Sequence, residues 1–267
     1  MSPASSPAAR GGAWRVALLV AAAVAATAVA FALPPVAQDP AYHDFADRRR
    51  IWGVPNALNV LSNLPFTVVG ALGVSVVWRR GSGPAWEWLA FLALFGGVGL
   101  TGFGSAWYHL APTTATLFWD RLPMTLAFMA LLALTLGERV SARAGPWLLL
   151  LCLGAGVGSV THWQLGERAG AGDLRLYALV QFFPVLAIPL ALALYPRRWI
   201  RGADLLVAVG WYALSKILEA LDAPIFALGG AVSGHTLKHL AAASAGAWLL
   251  RIALVWRDRP EAPRTPL

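Results

Sequence analysis

Long apolar segments dominate this chain of 267 residues. Charged and Pro/Gly-rich breaks divide the sequence into eight such segments, at about 14–33, 57–78, 85–110, 116–137, 146–163, 173–195, 203–222 and 231–256. A hydrocarbon core of about 30 Å requires roughly 20 apolar residues per helix. The pattern therefore predicts an all-α integral membrane protein and leaves no room for a soluble domain.

The composition supports this interpretation and excludes other classes of protein. Apolar residues make up 58% of the chain and charged residues 13%, against about 45–50% and about 25% in soluble domains. The formal charge of +8 does not indicate nucleic-acid binding, because the basic residues lie in short clusters between apolar segments. Cys152 is the only cysteine, which excludes an internal disulfide and a cysteine-built metal site.

The first apolar segment differs in kind from the others. Arg10 and Arg15 precede it, and it ends in Ala30-Phe31-Ala32, which resembles a signal-peptidase site. We therefore predict that residues 1–34 are a signal peptide or an anchor helix. An extracytoplasmic loop (35–56), a seven-transmembrane-helix domain (57–256) and a cytoplasmic tail (257–267) are predicted to follow.

The distribution of arginine predicts the orientation of the bundle. With the N-terminus inside, twelve arginines fall in inward-facing segments: Arg10, Arg15, Arg79, Arg80, Arg139, Arg143, Arg197, Arg198, Arg201, Arg257, Arg259 and Arg264. Five fall in outward-facing segments: Arg48, Arg49, Arg50, Arg168 and Arg175. This is the asymmetry of the positive-inside rule. High Ala, Gly and Arg usage adds an expectation of a bacterial inner membrane, with the C-terminus in the cytoplasm.

A few ionisable residues lie at span depth, where they are costly and therefore point to function. His109, Asp120, His235 and His239 are all predicted at outer helix ends, on the periplasmic side. The spacing of four puts His235 and His239 on one helix face, and His109 would complete a three-nitrogen site of the kind that holds catalytic zinc. Ser105 shares the face of His109 one turn deeper. The alternative is that each histidine satisfies a hydrogen bond at a helix end.

Four segments together resemble the alkaline ceramidase family, part of a superfamily of seven-helix membrane hydrolases that also includes the adiponectin and progestin receptors. They are 59–66 (NVLSNLPF), 104–109 (GSAWYH), 120–124 (DRLPM) and 235–239 (HTLKH). The resemblance covers about residues 42–256.

This resemblance implies hydrolysis of the N-acyl amide of ceramide, or of a related lipid, to a sphingoid base and a fatty acid. It implies that His109, His235 and His239 hold Zn²⁺, and that Asp120 and Ser105 are catalytic. Zinc lowers the pKa of a bound water to about 7, which makes a nucleophile available at neutral pH. The family assigns proton transfer to Asp120 and stabilisation of the oxyanion to Ser105.

The resemblance extends in part to an acidic calcium loop. Asp44, Asp47 and Asn56 match it and are candidate Ca²⁺ ligands. Calcium takes six to eight oxygen ligands, and the alternative is a solvated loop paired with its own arginines, Arg48, Arg49 and Arg50.

Two further sets of charged residues allow two interpretations each. Lys216, Glu219 and Asp222 lie on one face of the sixth core helix, where they either orient a ligand or form an internal ion pair. Arg121 either orients Asp120 or reaches the lipid head groups.

The competing function is that of a receptor-like or signalling membrane protein with a structural zinc. Such a zinc is usually closed by four protein ligands, and the sequence offers no fourth His or Cys near the three histidines. His43 and His162 are interpreted as loop or interfacial residues.

Overall fold

The computed structural model of the protein describes residues 7–79 and 84–259, with side chains from residue 12 onward. Parts of the predicted leader (1–6) and of the predicted tail (260–267) lie outside the described residues, as do Arg80, Arg264 and the side chain of Arg10.

The described residues form helices and no strand, which confirms the all-α prediction. The helices are α1 (Pro7–Ala32), α2 (Ala57–Leu61), α3 (Leu64–Trp78), α4 (Ala85–Leu110), α5 (Thr114–Arg139), α6 (Gly145–Arg168), α7 (Arg175–Leu194), α8 (Gly202–Ala220), α9 (Asp222–Ala227) and α10 (Gly234–Arg257). The segment before α2 is a loop with a short 3-10 turn at Pro40–His43.

Seven of the described segments are long and apolar enough to cross a membrane, and Gly12–Ala32 near the N-terminus is one of them. α8 has 19 residues but carries Asp204, Lys216 and Glu219, so it does not belong to these seven by hydropathy. It packs along α10 within the bundle. The protein is therefore a helical membrane protein, and the span at 203–222 stays a prediction.

α4 and α5 form the centre of the bundle. α4 packs against α3 and α5, α5 against α6 and α7, and α10 against α3 and α8, while α1 lies on α7. Phe91, Leu94, Phe95, Leu132 and Leu134 are buried in the core between them. This order brings the end of α4, the start of α5 and the start of α10 together at one end of the bundle.

The first core helix is broken, where the sequence predicts one segment over 57–78. Ser62 and Asn63 separate α2 from α3. Pro65 has no N–H and cannot complete the helical hydrogen bond to Leu61, and the Asn63 N–H bonds three residues back, to the Val60 carbonyl. The break places the Ser62 hydroxyl beside α10.

Candidate metal centre and active site

Three histidines meet at this end of the bundle. His109 at the end of α4 and His235 and His239 on α10 are all buried. The Nε2 atom of His109 lies 3.3 Å from that of His239 and 3.3 Å from that of His235. One nitrogen from each ring lies within 4.8 Å of the other two. The structure thus brings together the three histidines singled out from the sequence, and they could hold a metal ion.

Hydrogen bonds to the backbone fix both helix ends. The Asp222 carboxylate accepts from the His235 N–H (2.8 Å) and from the Ala46 N–H (2.9 Å), which ties the start of α10 to the loop before α2. The Asn56 amide donates to the His109 carbonyl over 2.8 Å at the end of α4. These bonds satisfy backbone groups that a helix end would otherwise leave open.

Ser62 determines which nitrogen of His239 faces the other histidines. The Ser62 hydroxyl lies 2.8 Å from His239 Nδ1 and donates its proton to the Asn59 carbonyl, 3.1 Å away. With the Ser62 hydrogen bonded to the Asn59 carbonyl, the matching tautomer of His239 carries its hydrogen on Nδ1 and keeps a free lone pair on Nε2 for a metal. Sequence reasoning missed Ser62 as an individual residue, although it lies inside the matched segment 59–66.

A cavity of about 240 Å³ opens beside the histidines. Ser105, Asp120 and His239 line its polar end, and Ser105 and Asp120 are both buried. Apolar side chains of α4, α5, α7, α8 and α10 line the remainder, among them Leu94, Val98, Leu131, Ile188, Val209 and Leu249. The two residues to which the family resemblance gives catalytic roles therefore share one cavity with a metal-site histidine.

A partly buried ion network lies at the same polar end. Glu219 pairs with Lys216 on its own helix and with Lys238 of α10, whose Nζ is 2.5 Å from Oε1. Tyr42 donates its hydroxyl to Glu219 over 3.1 Å, and burial, together with the nearby Glu219, raises the pKa of the Tyr42 phenol. The internal ion pair is therefore present, and it extends between helices. Asp222 bonds instead to the two backbone N–H groups described above.

Arg121 lies between aromatic rings. Its guanidinium carbon is 4.4 Å from the Trp163 ring centroid, 4.7 Å from that of Tyr177 and 5.4 Å from that of Tyr42. The residue is 6% exposed and lines the cavity. The interpretation that it reaches the lipid head groups is wrong in this structure, because aromatic side chains cover it.

Arginines pair with both carboxylates of the candidate calcium loop. Asp44 pairs with Arg48 over 2.9 Å at an exposed position, and the buried Asp47 pairs with Arg49 over 2.7 Å. The Arg49 side chain, hydrogen-bonded to Asp47, lowers the pKa of that carboxyl below its usual value. Asn56 is engaged with the His109 carbonyl, as described above.

The two remaining histidines, His43 and His162, do not belong to the three-histidine cluster. His43 bonds through Nδ1 to the Tyr108 hydroxyl (2.9 Å) and through Nε2 to that of Thr114 (3.2 Å). Burial of its ring is the main cause of a lowered pKa of His43. His162 is exposed on α6. His43 is a loop residue, as predicted.

Comparison with known proteins identifies a family. The family model described as Ceramidase matches residues 53–192, slightly more than half of the chain. The matched region contains Ser105, His109 and Asp120 and ends before α10. No curated protein matches the chain.

Proposed function

The chain belongs to the ceramidase family, and on that premise we propose that it is a zinc-dependent intramembrane amidohydrolase. Its substrate is ceramide or a related N-acyl lipid, and its products are a sphingoid base and a fatty acid. The observation that carries the proposal is a cluster of three buried imidazoles, one of which, His239, lines a cavity together with Asp120 and Ser105.

Two of the three distances between the imidazole nitrogens match those of a zinc site. Zn–N distances of about 2.0–2.1 Å in a tetrahedral site place two ligand nitrogens about 3.3–3.4 Å apart. The Nε2 atom of His109 lies 3.3 Å from each of its two partners. Among the described residues, the cluster of His, Cys, Asp and Glu has these three members, which leaves a fourth position for water, as in catalytic zinc sites. Zinc held there would supply Lewis-acid activation of water and of the amide carbonyl.

The remaining chemistry comes from the chain itself. Asp120 accepts a proton from the attacking water on a carboxylate oxygen and returns it to the amide nitrogen as the C–N bond breaks. The Ser105 hydroxyl donates a hydrogen bond to the oxygen that becomes negative on the carbonyl carbon. The apolar part of the cavity holds hydrocarbon chain and limits access of bulk water to the reacting amide.

The test measures fatty-acid release from ceramide by purified protein, with and without a chelator. We expect a chelator to abolish release and zinc to restore it. His235→Ala should lose release by more than about 100-fold together with its bound metal, because a ligand of the metal that activates water is removed. His162→Ala is the matched control, since His162 is exposed outside the site, and it should behave as wild type.

Two results would contradict the proposal. Undiminished fatty-acid release by His235→Ala would contradict the assignment of His235 as a ligand of a catalytic metal. A bound metal without cleavage of any N-acyl lipid would favour the receptor-like alternative with a structural zinc.

Calcium binding by Asp44, Asp47 and Asn56 stays a prediction. An ion there would have to replace Arg48 and Arg49 as partners of the two carboxylates. The bacterial inner-membrane location and the periplasmic position of the site are likewise predictions from the sequence.

A further inference from the structure

Arg121 is a buried cation that lines the cavity. Among the described residues, none of the ion pairs involves Arg121. Its Nη1 atom is buried and has no hydrogen-bond partner in the part of the chain that the structure describes. A buried donor without a partner costs free energy that a ligand oxygen would recover.

The surrounding rings hold the guanidinium but leave this donor open. Trp163 and Tyr177 lie within 4.7 Å and Tyr42 within 5.4 Å of the guanidinium carbon. Contacts of this kind act through the ring faces and stabilise the positive charge. They offer no oxygen to Nη1, so the aromatic rings hold the side chain in place while this donor stays unpaired among the described residues.

The charges of the residues that line the cavity also favour an anionic ligand. Its charged lining residues are Arg121, Lys216 and Lys238 against Asp120 and Glu219. Glu219 is shared by the two lysines. One positive charge therefore remains in excess, in a setting where uncompensated charge is expensive.

We propose that Arg121 recognises an anionic oxygen of the lipid, a carboxylate or a phosphate, beside the reaction centre. This inference rests on the proposed function and deepens it, because it makes Arg121 a determinant of which N-acyl lipids are bound. The anion has two sources: a charged head group on the substrate, or the carboxylate of the released fatty acid. Guanidinium is suited to both, since it bonds to paired oxygens through parallel N–H groups.

The head-group source is tested by turnover of the full-length protein in detergent micelles. The ratio of kcat/KM for ceramide 1-phosphate to that for ceramide is compared between wild type and Arg121→Gln. We expect the ratio to fall by about tenfold or more, mainly through KM, because a charged hydrogen bond is lost. Arg121→Lys keeps the positive charge but lacks the parallel N–H groups of guanidinium, so it should retain part of the preference for ceramide 1-phosphate.

The product source is tested by binding, without turnover. The dissociation constants of palmitate and of hexadecanol are measured by quenching of tryptophan fluorescence. Arg121→Gln should weaken palmitate by about tenfold and leave hexadecanol unaffected. Arg251→Gln is the matched control in both assays, because Arg251 also lies over a tryptophan ring, 4.8 Å from that of Trp248, yet is outside the cavity lining.

The outcomes separate the two sources and the two proposals. A loss in the first assay alone assigns the anion to the head group, and a loss in the second alone assigns it to the fatty acid. Unchanged values in both assays, in Arg121→Gln protein that elutes and melts like wild type, overturn the inference. Should Arg121→Gln fail to fold, Arg121→Lys carries the same comparison. If wild type cleaves neither lipid, the proposed function fails, while the binding assay still decides whether Arg121 holds an anion.

Discussion

Ser62 supports the candidate metal site without lining the cavity. Its hydroxyl accepts a hydrogen bond from His239 Nδ1 and donates one to the Asn59 carbonyl. Partners of this kind fix the orientation and tautomer of a metal-binding imidazole. The same hydroxyl also joins the break between α2 and α3 to α10.

Replacing Ser62 tests this role. We expect Ser62→Ala to lower zinc affinity by about 10–100-fold, because His239 loses the group that fixes its tautomer. Zinc content after dialysis against graded chelator measures the change. Ser244→Ala is the matched control on α10, where the hydroxyl bonds to the Leu240 carbonyl of its own helix. Equal zinc affinity in both variants would show that Ser62 has no such effect.

Asp47 makes stability depend on pH in the acid range. Arg49 lowers the pKa of this carboxyl in the folded protein below the usual value of 3.8. A group whose pKa is lowered by folding stabilises the fold above its unfolded pKa, and the contribution is lost as the pH falls through the folded pKa. We expect Asp47→Asn to melt below wild type at pH 7, and the difference to shrink below about pH 4. Thermal unfolding in detergent at both pH values measures it.

The neighbouring pair in the same loop supplies the control. The Asp44 and Arg48 side chains are 66% and 61% exposed, so Asp44→Asn should change the melting temperature little at any pH. If the difference in melting temperature between Asp47→Asn and wild type stays the same in acid, stability does not depend on ionisation of Asp47.

At the scale of helices, the crossing of α4 and α5 sets the spacing of Ser105 and Asp120, the proposed catalytic residues. Gly104 faces the backbone of Trp119 and Asp120, and a Cβ on it would collide with the Trp119 carbonyl. Ser105 is next to Gly104 in the chain, and Asp120 follows Trp119. Absence of a side chain at Gly104 therefore lets Ser105 and Asp120 reach one cavity.

Adding one methyl group tests this crossing. Gly104→Ala should destabilise the protein by about 1–3 kcal/mol, because overpacking forces the helices apart, and fatty-acid release should fall with it. Thermal unfolding and the release assay measure the two effects. Gly96→Ala is the matched control on α4, where a Cβ would meet nothing within 4 Å, so stability should hold or rise slightly. Equal melting temperatures of the two variants would contradict the close crossing.

At the scale of the whole molecule, the predicted orientation places the candidate metal centre at the outer end of the bundle. Ala142 and Ala169 are exposed and lie on either side of α6 (Gly145–Arg168). In protein lacking the buried Cys152, we expect Ala169→Cys to react with a membrane-impermeant thiol reagent in intact cells. Ala142→Cys should react only after lysis, because the arginine asymmetry puts its loop inside. The reverse pattern would invert the topology.

The sequence determines the helical membrane fold and the type of chemistry. Apolar segments of about 20 residues have one stable form in a bilayer, because every backbone polar group must bond within its own segment or barrel. The spacing of His235 and His239 puts them on one face by helix geometry alone. Because few ionisable residues lie at span depth, the sequence also identifies His109 and Asp120 as candidate functional residues.

Tertiary structure alone decides the contacts between distant residues. Ser62 meets His239, Lys238 meets Glu219, and Arg121 lies between Trp163 and Tyr177. No local pattern sets these contacts, because they depend on how helices from different parts of the chain cross, and side-chain volume at those crossings fixes their distances. The sequence names the groups that can bind a metal. Helix packing decides which nitrogen faces the site and which cation is left without a partner.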